Sequence, residues 1–305
     1  MKQYLFKTGL SVMTLVFLFQ AEYAQSQALK VVTSLSSFAD ITQQIAGNKA
    51  EVSYIVPPKF NPHFLEAKPT HVLKLKRADL FFHTGLDLEA WVGPLLDAVG
   101  RPELRAGGDR QVDLSIGIQL KNIPDRNITR AEGDIHFFGN PHYWIHPENG
   151  RIIATTITTK LCEVLNADCD YFKENLSKFN LSVSKIESET KSKYSELLGK
   201  EFIAYHDEWV YLADFLGIKI QKFIELKPGI PPSPKSLEAL VNYIKIHSVK
   251  GLIQSTFYPL EAANYLNKKT EIKVLLLCQN VAEKSECSDY QKMIAYNINQ
   301  IGATL

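Results

Sequence analysis

Apolar and polar positions change period repeatedly along this chain, and the changes mark out its elements. Val31-Val32-Thr33 is a short apolar run of the buried-strand kind; residues 34–47 follow with serines at a helix start and a glycine at its stop. Residues 52–56 predict a second strand, closed by Pro57 and Pro58. Val72, Leu73 and Leu75 among lysines predict a short amphipathic helix over 70–78, residues 80–85 a strand and turn, and the leucine-rich residues 87–99 another helix. A polar stretch with little periodicity runs to Glu132. Residues 147–165 are helical in pattern, with Ile152, Ile153, Ile157 and Leu161 toward a core. Over 171–199, Phe172, Leu176, Phe179, Val183, Ile186, Tyr194 and Leu197 recur mostly at steps of three or four, which predicts one helix of roughly 42 Å. Its stripe has too few heptads for a coiled coil and stops at Gly199. Beyond it, strands are expected at 201–205, 218–224, 251–254 and 274–277. Helices are expected at 209–216, 236–247, 261–267 and 289–300, with a rigid proline-rich loop over 228–234.

Strands alternating with helices through short connections predict parallel sheets wrapped by helices, an α/β fold. A chain of 305 residues exceeds the usual single core, so two domains are expected. The charge balance, 34 basic against 33 acidic residues, gives no electrostatic case for nucleic acid or an anionic membrane surface. Residues 1–28 read as a signal peptide: Lys2 and Lys7, an apolar run over 10–19, and small-x-small cleavage patterns at Ala24-Gln25-Ser26 or Ser26-Gln27-Ala28. The apolar run is shorter than the roughly 20 residues of a spanning helix, and no cysteine near it offers a lipid anchor. Export into a Gram-negative periplasm is expected, which permits disulfides. The spacing suggests Cys162 with Cys169 and Cys278 with Cys287, although three pairings of the four cysteines exist.

The candidate chemistry is histidine. His136, His142 and His146 lie within residues 134–147, where Pro141 and Pro147 make a poor helix but a good rigid loop. His63 follows a turn signal, Asn61-Pro62, and His206 follows the apolar run Phe202-Ile203-Ala204-Tyr205. Both follow expected strands, on the side of a parallel sheet where ligands bind. His83, beside a turn glycine, reads as structural, and His71 and His247 as solvent-facing.

Val56-Pro57-Pro58, Asn61-Pro62-His63 with Glu66, Asn140-Pro141-His142-Tyr143-Trp144, Tyr205-His206-Asp207 and Pro232-Ser233-Pro234, in this order, resemble the zinc and manganese receptors of ABC importers, periplasmic solute-binding proteins. The resemblance covers about residues 29–301. It implies two lobes, at 29–166 and 200–305, joined by a stiff helix over 167–199 that forbids large clamshell closure. It also implies a non-enzymatic, monomeric receptor that hands its ion to a permease and its ATPase. His63, His142 and His206 are the expected ligands, and three imidazoles favour zinc over manganese; manganese receptors of the family often carry glutamate where this chain has His206. The family's last-strand aspartate corresponds here to Cys278, and a nearby family glutamate to about Ser255. Water is therefore the expected fourth ligand, with Glu66 and Asp207 as acceptors behind the imidazoles. Cys278 thiolate is the alternative, which a disulfide to Cys287 would forbid. His136 and His146 are candidate auxiliary ligands, and residues 101–133 lack the histidine-rich loop of many zinc receptors. A zinc hydrolase is the rival reading, since three histidines and an open position also describe catalytic zinc, but no His-Glu-x-x-His is present. A surface adhesin is a third.

Overall fold

The structure, a computed structural model, describes residues 28–124, 136–225 and 229–305. The expected signal peptide therefore lies, but for Ala28, outside the described residues, as do parts of the polar stretch and the proline-rich loop. Two four-stranded sheets, both wholly parallel, form the framework. The first comprises β1 (Leu29–Thr33), β2 (Ala50–Tyr54), β3 (Leu80–His83) and β4 (Gln111–Asp113) in the order β2-β1-β3-β4. The second comprises β5 (Glu201–Ala204), β6 (Lys219–Phe223), β7 (Leu252–Ser255) and β8 (Val274–Leu277) in the order β6-β5-β7-β8. The inner strands β1, β3, β5 and β7 are mostly buried, as expected of a parallel sheet covered on both faces. In each sheet the winding reverses beside the first strand, between β1 and β3 and between β5 and β7. The crevice outside the carboxyl ends at such a reversal is where α/β sheets hold ligands.

The covering helices are α1 (Ser36–Ala46), α2 (Pro69–Lys76), α3 (Val92–Val99), α4 (Pro147–Val164), α5 (Cys169–Lys193), α6 (Val210–Leu216), α7 (Pro234–Ile246), α8 (Glu261–Thr270) and α9 (Tyr290–Gly302). Helix α5 joins the lobes; its 25 residues span about 37 Å, with Phe172, Phe179 and Val183 buried along one stripe. The turn before it is closed by a Cys162–Cys169 disulfide, one of the two expected pairs. Helix α9, from the second lobe, packs against α5 and α1, so a single apolar core runs through both lobes from Leu29 to Ile301. A smaller core, including Ile203, Leu240, Val241 and Leu252, lies in the second lobe.

Three expectations need correction. The helix expected over 87–99 begins only at Val92, because Gly85, Leu86 and Asp87 take left-handed φ values of 72°, 52° and 56° and the Glu89 carboxylate turns back to accept from the Thr84 N–H and hydroxyl. The long helix ends at Lys193, giving way to a 3-10 turn over Ser195–Leu197. Finally, β4 falls in a stretch that showed no period, since three residues with one apolar side chain, Val112, carry no readable alternation.

Candidate metal centre

His63 rides on a loop after β2 that is fixed from both sides. The Asn61 carboxamide oxygen accepts the His63 backbone N–H at 3.1 Å, and the Trp91 indole donates to the Pro62 carbonyl at 2.9 Å. His142 follows Asn140-Pro141 in the loop leading to α4. There Asn140 Oδ1 lies 3.1 Å from both the backbone nitrogen and Nδ1 of His142, which sets the ring with Nδ1 protonated and Nε2 as the lone-pair atom. The same Asn140 carboxamide donates through Nδ2 to the Asp207 carbonyl at 2.6 Å, and its main-chain carbonyl accepts from the Tyr211 hydroxyl at 2.9 Å, so the loop is tied to the second lobe. His206 sits just past β5. Its Nδ1 meets a Glu225 oxygen at 3.0 Å, and Glu225 is placed there because its N–H continues the β5–β6 ladder to the Tyr205 carbonyl at 2.8 Å.

These three side chains converge. His63 Nε2 and His142 Nε2 are 3.2 Å apart, and one ligand nitrogen from each of the three rings lies within 4.8 Å of the others. Two nitrogens on a tetrahedral zinc, each at about 2.0 to 2.1 Å, stand about 3.3 to 3.4 Å apart, so the His63–His142 spacing already suits a shared ion. Burial, then the neighbouring His63, His206 and His136 rings, hold the pKa of His142 well below its ordinary value, so the ring is neutral and available at physiological pH. Burial alone would lower the pKa of His206 too, but the Glu225 hydrogen bond and the nearby Glu208, Glu225 and Asp207 charges outweigh it and raise it.

The partners behind the rings differ from those expected. Glu66 is exposed, and the Asp207 carboxylate accepts from the Asn122 side chain at 2.8 Å instead of meeting an imidazole. The groups in those positions are Asn140 and Glu225, distant from Glu66 and Asp207 in sequence. Cys278 does not join the cluster: it is buried facing Cys287, with their sulfurs 2.7 Å apart. A disulfide links the first expected cysteine pair, Cys162 with Cys169, and none links the second, Cys278 with Cys287. A backbone bond from Ala282 N–H to the Cys287 carbonyl at 2.7 Å closes that turn without a covalent link. His146 caps α4, its Nδ1 accepting the Glu148 N–H at 3.1 Å, and its ring packs on Phe215. His83 accepts from the Gly85 N–H at 3.2 Å and pairs with Gln111, a structural role; His71 accepts the Lys68 N–H at the start of α2, and His247 is exposed.

One carboxyl near the cluster had no signal in the sequence. Glu208, two residues past His206, is wholly buried, accepts from the Ser255 hydroxyl and from Gln279 Nε2, and is pushed by burial up to about 7. Ser255 at the end of β7 thus reaches a carboxyl supplied from the loop after β5. Its neighbour Glu283, pinned by the Gln279 and Asn280 N–H groups at 3.0 and 2.7 Å and by the Thr256 hydroxyl at 2.8 Å, is pushed by burial to about 8.

Two parallel-sheet lobes around a crevice that gathers imidazoles define a class, the binding receptors that capture a metal ion between lobes. Residues 31–304 match the family described as "ZnuA: Zinc-uptake complex component A periplasmic", and the chain belongs to that family of metal-binding periplasmic receptors of ABC importers. It is 26% identical to the manganese ABC transporter substrate-binding lipoprotein PsaA of Streptococcus mitis, over 99% of this chain and 97% of that protein. It is 27% identical to a metal ABC transporter substrate-binding lipoprotein of Lactococcus lactis, over 92% and 90%. In fold it is similar to ZnuA (TM-score 0.75, 22% identity, 91% of this chain and 99% of that one) and to the laminin-binding adhesin Lmb of Streptococcus agalactiae (0.76, 22%, 91% and 100%).

Proposed function

We propose that this protein captures Zn2+ with His63, His142 and His206 in the crevice between its lobes, outside the cytoplasm, and delivers it to the permease and ATPase of an ABC importer. One observation carries the reading: three imidazole nitrogens from three separate loops gather within 4.8 Å of one another. That donor set is nitrogen-only, and imidazole suits zinc, whereas manganese is better served by carboxylate and carbonyl oxygen. In this reading the chain acts as a monomer after losing residues 1–28, with lobes at 29–166 and 200–305. It binds and releases its ion without turnover. Among the described residues no helix is long and apolar enough to cross a membrane.

Metal analysis of the purified protein, with chelator-competition titrations of zinc and manganese, tests the assignment. The expected result is one zinc per chain, bound far more tightly than manganese, and no hydrolysis of esters or peptides. Tighter manganese binding would make it a manganese receptor of the same family, and metal-dependent turnover would make it a hydrolase.

A further inference from the structure

A fourth histidine stands beside the cluster in an arrangement none of the three needs. The ring of His136 is only 9% exposed, with its centroid 5.1 Å from that of His63 and 6.0 Å from that of His142. Its Nδ1 lies 2.8 Å from Asp87 Oδ1, and the other oxygen of Asp87 accepts the Phe137 N–H at 3.0 Å, so the carboxylate grips both the ring and the backbone beside it. With the Nδ1 proton given to Asp87, Nε2 carries the lone pair, and it is buried with no hydrogen-bond partner among the described residues. Leaving such an atom unsatisfied costs about 1–3 kcal/mol, a cost that a ligand at Nε2 removes.

Asp87 is itself held at some expense, at the end of three successive left-handed residues, of which Leu86 (φ 52°) and Asp87 (φ 56°) are not glycine. A carboxylate behind an imidazole whose far nitrogen is bare is the arrangement that orients histidines toward metals. Glu225 and His206 repeat it across the crevice.

Resting on the receptor reading above, we propose that His136 is a fourth imidazole ligand for the same ion, oriented by Asp87, and that the protein's preference for zinc over manganese comes from an all-nitrogen site. The three converged rings form the nucleus of that site. His136 stands just outside them and joins by a short inward shift of residues 136–138, with Gly139 (φ 111°) as the pivot.

Zinc X-ray absorption on the loaded full-length chain counts the imidazoles without any mutation. Four are expected in the wild type and three in His136→Ala and in the more conservative His136→Gln. Chelator competition should show at least a tenfold weaker zinc affinity in both variants, and about tenfold in Asp87→Asn. The zinc-to-manganese preference should narrow in His136→Ala, with circular dichroism unchanged. A wild-type spectrum of three imidazoles and oxygen, or an undiminished affinity in both His136 variants, overturns the fourth ligand while leaving the three-histidine receptor standing. No zinc uptake by the wild type overturns the receptor reading itself, and with it this one.

Discussion

His142 is the most enclosed of the three clustered rings, and its surroundings hold it neutral. Removing it should cost more than the roughly 10- to 100-fold that partners behind a ligand are worth, so His142→Ala is expected to lower zinc affinity by over a hundredfold in a chelator-competition titration. Protons compete with metal for the same lone pairs, so affinity should fall steadily between about pH 7.5 and 5.5. His206 dominates that fall, because its folded pKa lies above the ordinary 6.5. Without metal the two rings act oppositely on stability. The raised His206 stabilises fully below about pH 6.5 and loses this as pH rises through its folded pKa. The lowered His142 weakens the fold as pH drops below about 6.5, where the unfolded chain takes up a proton the folded one refuses. Glu225→Gln should therefore weaken zinc binding at pH 7.5 by about tenfold yet flatten the pH profile, since His206 then holds its proton less firmly; an equally steep profile would separate Glu225 from the titration. His63, His142 and His206 were readable in the sequence because turn chemistry or a strand end precedes each. Asp87 and Glu225 were not, being 49 and 19 residues from the rings they hold. Proximity in sequence pointed instead to Glu66 and Asp207, but Glu66 is exposed and the Asp207 carboxylate accepts from the Asn122 side chain.

At the scale of elements, the alternation of strand and helix announced both sheets, because strands buried on two faces read as unbroken apolar runs. It missed β4 and misplaced the start of α3 for one reason: both are decided by contacts between distant groups, β4 by its ladder to β3 and the α3 start by the return of Glu89 to Thr84. The cysteine spacing was informative for the α4–α5 turn, where the Cys162–Cys169 link spans a separation of seven residues. A loop that short gains roughly 2.5 kcal/mol from cross-linking. The double variant Cys162→Ala/Cys169→Ala is accordingly expected to unfold about 5 to 10 °C lower in a calorimetric scan. Zinc affinity should stay unchanged, since neither cysteine belongs to the loops that carry His63, His142 and His206. A loss of affinity in that variant would mean that the turn helps set the position of the metal-gathering loops. The contact of the Tyr290 side chain with Gly150 makes a second case. A methyl group at Gly150 would collide with the Tyr290 hydroxyl, which donates to the Trp144 carbonyl at 2.7 Å. Gly150→Ala should cost about 1–3 kcal/mol as an overpacked contact, read from the denaturation midpoint.

At the scale of the molecule, the lobes are bound to each other by more than the connecting helix. The Ser36 hydroxyl donates to the Val281 carbonyl at 2.8 Å, and the Trp144 indole to the Gln279 carbonyl at 2.7 Å. Tyr211 and Tyr290 reach Asn140 and Trp144 across the same boundary, where Tyr143, Trp144, Tyr211 and Tyr290 are fully buried. Parting the lobes would break these four buried hydrogen bonds, among others, at about 1 kcal/mol each. It would also wet several large side chains at about 1.5–3 kcal/mol apiece, for a total on the order of 10 kcal/mol. Since every 1.4 kcal/mol is about a tenfold change in population, a wide-open form is too scarce to be the one that meets the ion. On the receptor reading proposed above, the ion enters through shifts of the loops that carry His63, His136 and His142, with the framework standing still. Small-angle scattering of the metal-free and zinc-loaded protein should give the same radius of gyration within error. Amide exchange should slow on loading around residues 60–65 and 136–142 while staying constant along α5. A clear contraction on loading, or protection spreading into α5, would show that the shared core yields and that the lobes close as a hinge after all.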